Sequence, residues 1–156
     1  MKIKFIVIGK TNIDFLTNGE KEFAKRLKHY CKFEEIIISE VKNRGKLSQK
    51  ELKNKEGKLI LNAIENNEEV ILLDNNGESY SSKGFSKFIQ QKILASTKSI
   101  VFIVGGAFGF SGEVYQRADH QLSLSKMTFT HQMVRLIFKE QLYRAFTIIR
   151  REKYHH

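Results

Sequence analysis

Short apolar runs rich in Ile, Val and Phe alternate along this chain with stretches whose apolar residues recur at helical spacing. That alternation restricts the fold more than any other feature. The runs predict strands over Lys2–Gly9, Phe33–Val41, Glu69–Asp74, Ser99–Val104 and His120–Ser125. Between them the spacing predicts helices over Phe15–Tyr30, Gln49–Asn66, Ser82–Leu94 and, briefly, Ser111–Ala118. Ser48 and Glu51 have the spacing of a capping box, which fixes where the second helix starts. A long final helix is expected over Gln132–Arg151, with Thr130 as its candidate N-cap. Strands separated by helices pair in parallel through right-handed crossovers, so the expected class is α/β, a parallel sheet flanked by helices. No repeat, low-complexity tract or linker interrupts the pattern. The one connector expected to be mobile is the basic loop Lys42–Asn43–Arg44–Gly45–Lys46.

At 156 residues the chain is long enough to build one core without staples. Its single cysteine, Cys31, lies in an apolar-periodic stretch and reads as a small buried hydrophobe. No Cys/His cluster has zinc-like spacing, so no metal is expected. The opening MKIKFIVIGK is too short in its apolar run for a secretion signal, and nothing approaches the ~20 apolar residues that span a bilayer. A cytoplasmic protein with no membrane partner is expected. Lys and Arg number 27 against 17 Asp and Glu, a formal excess of +10. Such an excess draws polyanions and supplies sequence-independent affinity for phosphate backbones.

Open parallel sheets bind ligands outside the carboxyl ends of their strands. Leu73–Asp74, Gly105–Gly106 and the segment from Ser125 onward occupy such ends. The glycine-rich run after Val104 lets a ligand approach bare backbone. It is neither a dinucleotide fingerprint nor a Walker A loop, because the spacing fails both. His131 and Arg135 stand four apart, on one face at the start of the last helix. An arginine there opposes the helix dipole, so something else must hold it. The same helix is apolar on more than one face, as expected of a helix central in the fold or packed on a second subunit. The second subunit is the favoured reading.

The C-terminal third carries a resemblance. Gly-Gly-x-x-Gly after a strand, Ser-Leu-Ser-x-Met-Thr-x-x-His-x-x-x-Arg from Ser123 to Arg135, Gln-Leu-Tyr-Arg-Ala at 141–145 and a terminal Tyr-His are similar to the RlmH-type large-subunit rRNA methyltransferases of the SPOUT class. Agreement extends to the opening strand, the loop at 42–46, Lys-Glu-Gly at 55–57 and Leu-Asp at 73–74. The resemblance implies a single SPOUT domain over 1–156, with a C-terminal trefoil knot binding the donor at about 99–156. It implies an S-adenosylmethionine-dependent enzyme that methylates N3 of a pseudouridine in helix 69 of 23S rRNA in the assembled ribosome. Its partners would be ribosomal RNA rather than DNA, and a second copy of the chain that completes the active site.

Carried over by residue, the resemblance assigns donor binding to Leu73, Gly105, Gly106, Ser125, Lys126, Met127, Thr128, Phe129 and Thr130. It assigns the substrate side to His131, Arg135, Tyr143, Arg144, Tyr154 and His155. Three prolines common in the family are replaced, with Ala107 in the glycine loop, Lys153 before the terminal Tyr-His, and Phe129–Gln132 around the histidine. Chemically, methyl transfer needs nucleophile, carbon and sulfur in line. A cation such as Arg135 or Arg144 would stabilise charge developing on the base, and His131 or His155 would take the N3 proton. A catalytically inert RNA-binding module of the same fold is the alternative; it predicts a broken donor loop.

Overall fold

The computed structural model describes residues 1–154. Five parallel strands form one sheet: β1 (Lys2–Ile8), β2 (Lys32–Ile38), β3 (Glu69–Ser79), β4 (Ser99–Val104) and β5 (His120–Ser123), in the order β2-β1-β4-β3-β5. The helices are α1 (Asp14–Leu27), α2 (Gln49–Asn62), α3 (Ser82–Leu94), α4 (Gly112–Arg117) and α5 (Met133–Ile149). None is long and apolar enough among the described residues to cross a membrane.

Side chains alternate across a strand, so each central strand feeds two cores. Ile3, Phe5 and Val7 of β1, with Ile100, Phe102 and Val104 of β4, pack under α1, α3 and α5. Ile6, Ile8, Val101 and Ile103 face the opposite way, against Ile60 of α2 and Val114 of α4. Both central strands are therefore apolar nearly throughout, which is why they stand out in the sequence as runs. Phe138 of α5 sits over the middle of the sheet, its ring centroid 4.7 Å from both Phe5 and Phe102. α5 lies between α1 and α3. Its breadth of apolar surface is thus used within the chain: Phe138, Leu142, Ala145 and Phe146 are all buried.

The capping box forms as expected, with Ser48 Oγ accepting from Glu51 N–H and the Glu51 carboxylate accepting from Ser48 N–H. Thr130 Oγ1 accepts from Met133 N–H at 3.2 Å and so caps the approach to α5. The loop at 42–46 is partly ordered by a short 3₁₀ turn at Arg44–Lys46 and by an Arg44–Glu40 ion pair of 2.9 Å. Cys31 is half-buried, its thiol donating to the Leu27 carbonyl, and burial pushes its pKa up to about 12.

One strand runs on past its expected stop. Asn75–Asn76–Gly77 does not end β3; the chain makes an excursion and returns to pair Glu78 and Ser79 with Leu122 and Ser123 of β5. Asp74 Oδ1 accepts from Asn76 N–H within the excursion. At Gly77 the two backbones nearly touch: a Cβ would fall 2.5 Å from Gln121 C and Leu122 N, so only glycine closes it.

Candidate active site

The carboxyl ends of β3, β4 and β5 surround a cavity of about 590 Å³, within the range of small-molecule sites. Three segments build it. The β3 excursion supplies Leu73, Asp74, Asn75 and Asn76. The glycine loop after β4 supplies Gly105 to Phe110, turned by a Gly109 N–H bond to the Gly106 carbonyl. The segment after β5 closes the third side with Ser125, Met127, Thr128, Phe129, Thr130 and His131. That segment is held in a turn by its own hydroxyls: Ser123 Oγ donates to the Ser125 carbonyl, and Met127 N–H donates to Ser125 Oγ, each at 2.9 Å.

Eight of the nine residues expected to hold the donor therefore line one cavity; Lys126 lies on the same segment but not in the lining. Gly106 is confined by packing, since a Cβ there would fall 2.4 Å from a Glu56 carboxylate oxygen. Asp74 and Tyr115 form a pair that sequence reading does not foresee. The Tyr115 hydroxyl donates to Asp74 Oδ2 at 2.5 Å, and burial, then the Asp74 carboxylate, pushes its pKa up to about 12. Leu122, Leu124 and Val134 add apolar wall.

The residues expected on the substrate side fall into two places. His131 is exposed at the cavity rim, and its pKa is lowered by desolvation first and then by Arg135 and Arg44. Arg135 is 1% exposed. Its guanidinium donates to the carbonyls of Ile8 (2.6 Å), Gly9 (2.9 Å) and His131 (3.1 Å) and to Thr11 Oγ1 (3.2 Å). The expectation that it reaches a substrate is not met in this geometry: the arginine fastens the loop after β1 to the entry of α5. Those carbonyls are what holds a cation at the positive end of a helix.

The second place is the far half of α5. Tyr143 and Tyr154 meet edge to face at 4.8 Å, and the Arg144 guanidinium lies 4.8 Å over the Tyr154 ring. Glu140 ties the group together, accepting from Tyr154 Oη at 3.0 Å and from Arg144 Nη2 at 2.6 Å. His155 lies outside the described residues. His131 and Arg144 are thirteen positions apart, about 20 Å along a helix, so in a single chain the two groups do not reach one substrate atom.

A family model described as "Predicted SPOUT methyltransferase" matches residues 1–155. The chain belongs to this family. It is also similar over its full length to proteins named ribosomal RNA large subunit methyltransferase H. The one from Christiangramia forsetii is 51% identical, that from Flavobacterium johnsoniae 49% and that from Parabacteroides distasonis 47%, each with 99% of the relative covered. The cavity opens at the carboxyl ends of the parallel strands, where open α/β sheets bind ligands. The features that sequence reading missed in this enzyme are Asp74 with Tyr115, and the inward turn of Arg135. Each depends on which elements become neighbours, and no local spacing marks it.

Proposed function

We propose that this SPOUT methyltransferase acts on ribosomal RNA of the large subunit, transferring a methyl group from S-adenosylmethionine to N3 of a pseudouridine in helix 69 of 23S rRNA, within the assembled ribosome and as a homodimer. The observation that carries the reading is the 590 Å³ cavity walled by the glycine loop and the 125–131 segment, in a chain about half identical to proteins named large-subunit rRNA methyltransferases.

When bound, S-adenosylmethionine supplies an electrophilic methyl group on a sulfonium. Leu73, Leu122 and Leu124 offer apolar surface for its adenine, and Gly105 and Gly106 admit it close to backbone. Ser125 and Met127 to Thr130 would hold its third side, with Lys126 on that segment outside the lining. Arg135 is a positioning residue: by tying Ile8, Gly9 and Thr11 to His131 it fixes the rim. The Tyr143–Arg144–Tyr154 cluster, with the terminal histidine beyond it, serves the substrate.

The ~20 Å between that cluster and the rim supports the dimer, because a second copy can bring its own cluster to the cavity. Half-buried Met133, Ile137 and Ile148 on the outer stripe of α5, with exposed Ile13, Phe15 and Met127 beside its start, offer apolar surface for that contact. A C-terminal trefoil knot is part of the proposal and goes with the family's fold. The test is direct: ribosomes lacking the modification are incubated with protein and labelled S-adenosylmethionine, and the 23S rRNA is mapped by mass spectrometry. A single new methyl at the helix 69 pseudouridine is expected. Label elsewhere, or none, refutes the target.

A further inference from the structure

A second cavity, of about 290 Å³, adjoins the first and shares Gly106, Ala107, Phe108 and His131 with it. Ile8, Leu47 and Leu52 give it an apolar floor; Glu40, Arg44 and Glu56 are its charged groups. An apolar pocket with a few convergent polar groups is what a nucleobase lifted out of its stack requires. Glu40 and Arg44 pair with each other. Glu56 does not pair. It is 5% exposed, and among the described residues its carboxylate makes no hydrogen bond or ion pair. Both of its oxygens lie against Gly106, at 2.4 and 2.8 Å from where a Cβ would be. That glycine belongs to the walls of both cavities.

Other buried carboxylates in this chain are fully engaged. Glu68 accepts from Lys4, Ser99 Oγ and Glu65 N–H, and Glu20 from Lys139 and Thr11. Among the described residues Glu56 has no protein donor, and its oxygens keep their remaining accessible surface on the wall of this cavity, where an apolar side chain would serve the packing of α2 as well. Water in the cavity, or a ligand that displaces it, supplies the donor that the protein does not. Methyl transfer to an imide nitrogen brings such a donor to this wall.

We infer that Glu56 is a catalytic residue that accepts the proton leaving the target nitrogen, with the second cavity holding the base. The inference rests on the proposed methylation of a pyrimidine nitrogen. In the step, the N–H bond breaks toward a Glu56 oxygen while the nitrogen forms its bond to the methyl carbon. The carbon–sulfur bond breaks and its electron pair stays on sulfur. The carboxylate becomes neutral and the sulfonium becomes a thioether, so charge balances. The charged and titratable groups that line this cavity with Glu56 are Glu40, Arg44 and His131. Burial raises the Glu56 pKa, with Arg44 opposing and Glu40 adding, whereas His131 is shifted down. Relative to their ordinary values, the carboxylate becomes the better base and the imidazole the poorer.

The test is single-turnover methylation of modification-free ribosomes by full-length wild type, Glu56→Gln and Glu56→Asp, across about pH 5 to 9, with donor calorimetry and melting curves. Glu56→Gln should be about 10²- to 10⁴-fold slower, bind donor as the wild type does, melt no lower, and lose the acid limb of the rate profile. Glu56→Asp should keep that limb at an intermediate rate. A Gln variant with wild-type rate and limb overturns the inference. So does a Gln variant whose donor affinity falls with its rate, or one that melts lower and is not rescued by Asp. If the wild type methylates a different RNA position, the proposed target fails while the Glu56 comparison is still read on the product formed. A wild type that transfers no methyl overturns both.

Discussion

Arg135→Ala separates two readings of the same residue. From the sequence, Arg135 shares a face with His131, and the expectation is that its loss slows methyl transfer while sparing donor binding. The structure argues otherwise. Truncation would strip donors from the carbonyls of Ile8, Gly9 and His131 and from Thr11 Oγ1, around a side chain that is itself only 1% exposed. Each buried acceptor left without a donor costs about 1–3 kcal/mol, and water entering the space recovers part of it. A loss on the order of 4 kcal/mol follows, comparable to breaking a buried ionic contact. For a chain of this size that is about 8–16 °C in Tm. Because the same bonds hold His131 at the cavity rim, donor affinity should fall together with stability. Arg135→Lys keeps the charge but not the planar fork, so it should satisfy only some of these acceptors and fall between. Thermal melts paired with donor calorimetry measure both effects. A variant with wild-type Tm and donor affinity but collapsed turnover would refute the clamp and return Arg135 to the substrate.

Ile137→Glu on the outer stripe of α5 should convert the proposed dimer to an inactive, folded monomer, read by sedimentation; Phe138 and Phe146 are unsuitable probes because both are core residues. Replacing Lys42 and Lys46 by Ala should weaken ribosome binding and reduce its salt dependence by roughly one unit of slope for each phosphate no longer neutralised. Glu68→Gln tests a buried pair with Lys4 at 2.7 Å. Burial alone would raise the Glu68 carboxyl, but bonds from Glu65 N–H, Lys4 and Ser99 outweigh it and hold it below the usual 4.5. The stability it contributes is present above that value and lost as pH falls through the lower, folded-state value. The gap in Tm between wild type and Glu68→Gln should accordingly be wide at neutral pH and close in acid; a gap independent of pH would remove the linkage.

Legibility from sequence followed the range of the interaction. Element order, the capping box and the glycine loop depend on residues a few positions apart, and they were legible. The sequence reading cuts β3 short because Asn75–Asn76–Gly77 has turn chemistry, and it does turn; the strand resumes only because β5 offers Glu78 and Ser79 a partner. Family resemblance assigns nine residues to the donor, and one cavity gathers eight of them. Strand pattern alone puts these residues at ligand-binding strand ends and does not say which ligand.

The last helix shows why the remainder stayed hidden. Its apolar residues cover more than one face, which fits a helix at an interface and equally one wedged between neighbours. In the structure α1 and α3 flank it, and most of that surface is buried inside one chain. Arg135 and Lys139 stand four apart and look like a solvated stripe. Both are instead 1% exposed. Arg135 is satisfied by the end of β1, and Lys139 by Glu20 of α1 and Glu35 of β2, each at 2.7 Å. A charged side chain can be buried only where acceptors converge on it, and these come from more than a hundred residues away in the chain. Helical spacing reports which residues share a face and carries no information about what that face will meet. The same residues that evade the pattern are those that fasten β1, α1 and β2 to the helix carrying the rim of the cavity, so the positioning of the site is the part of it least written in local sequence.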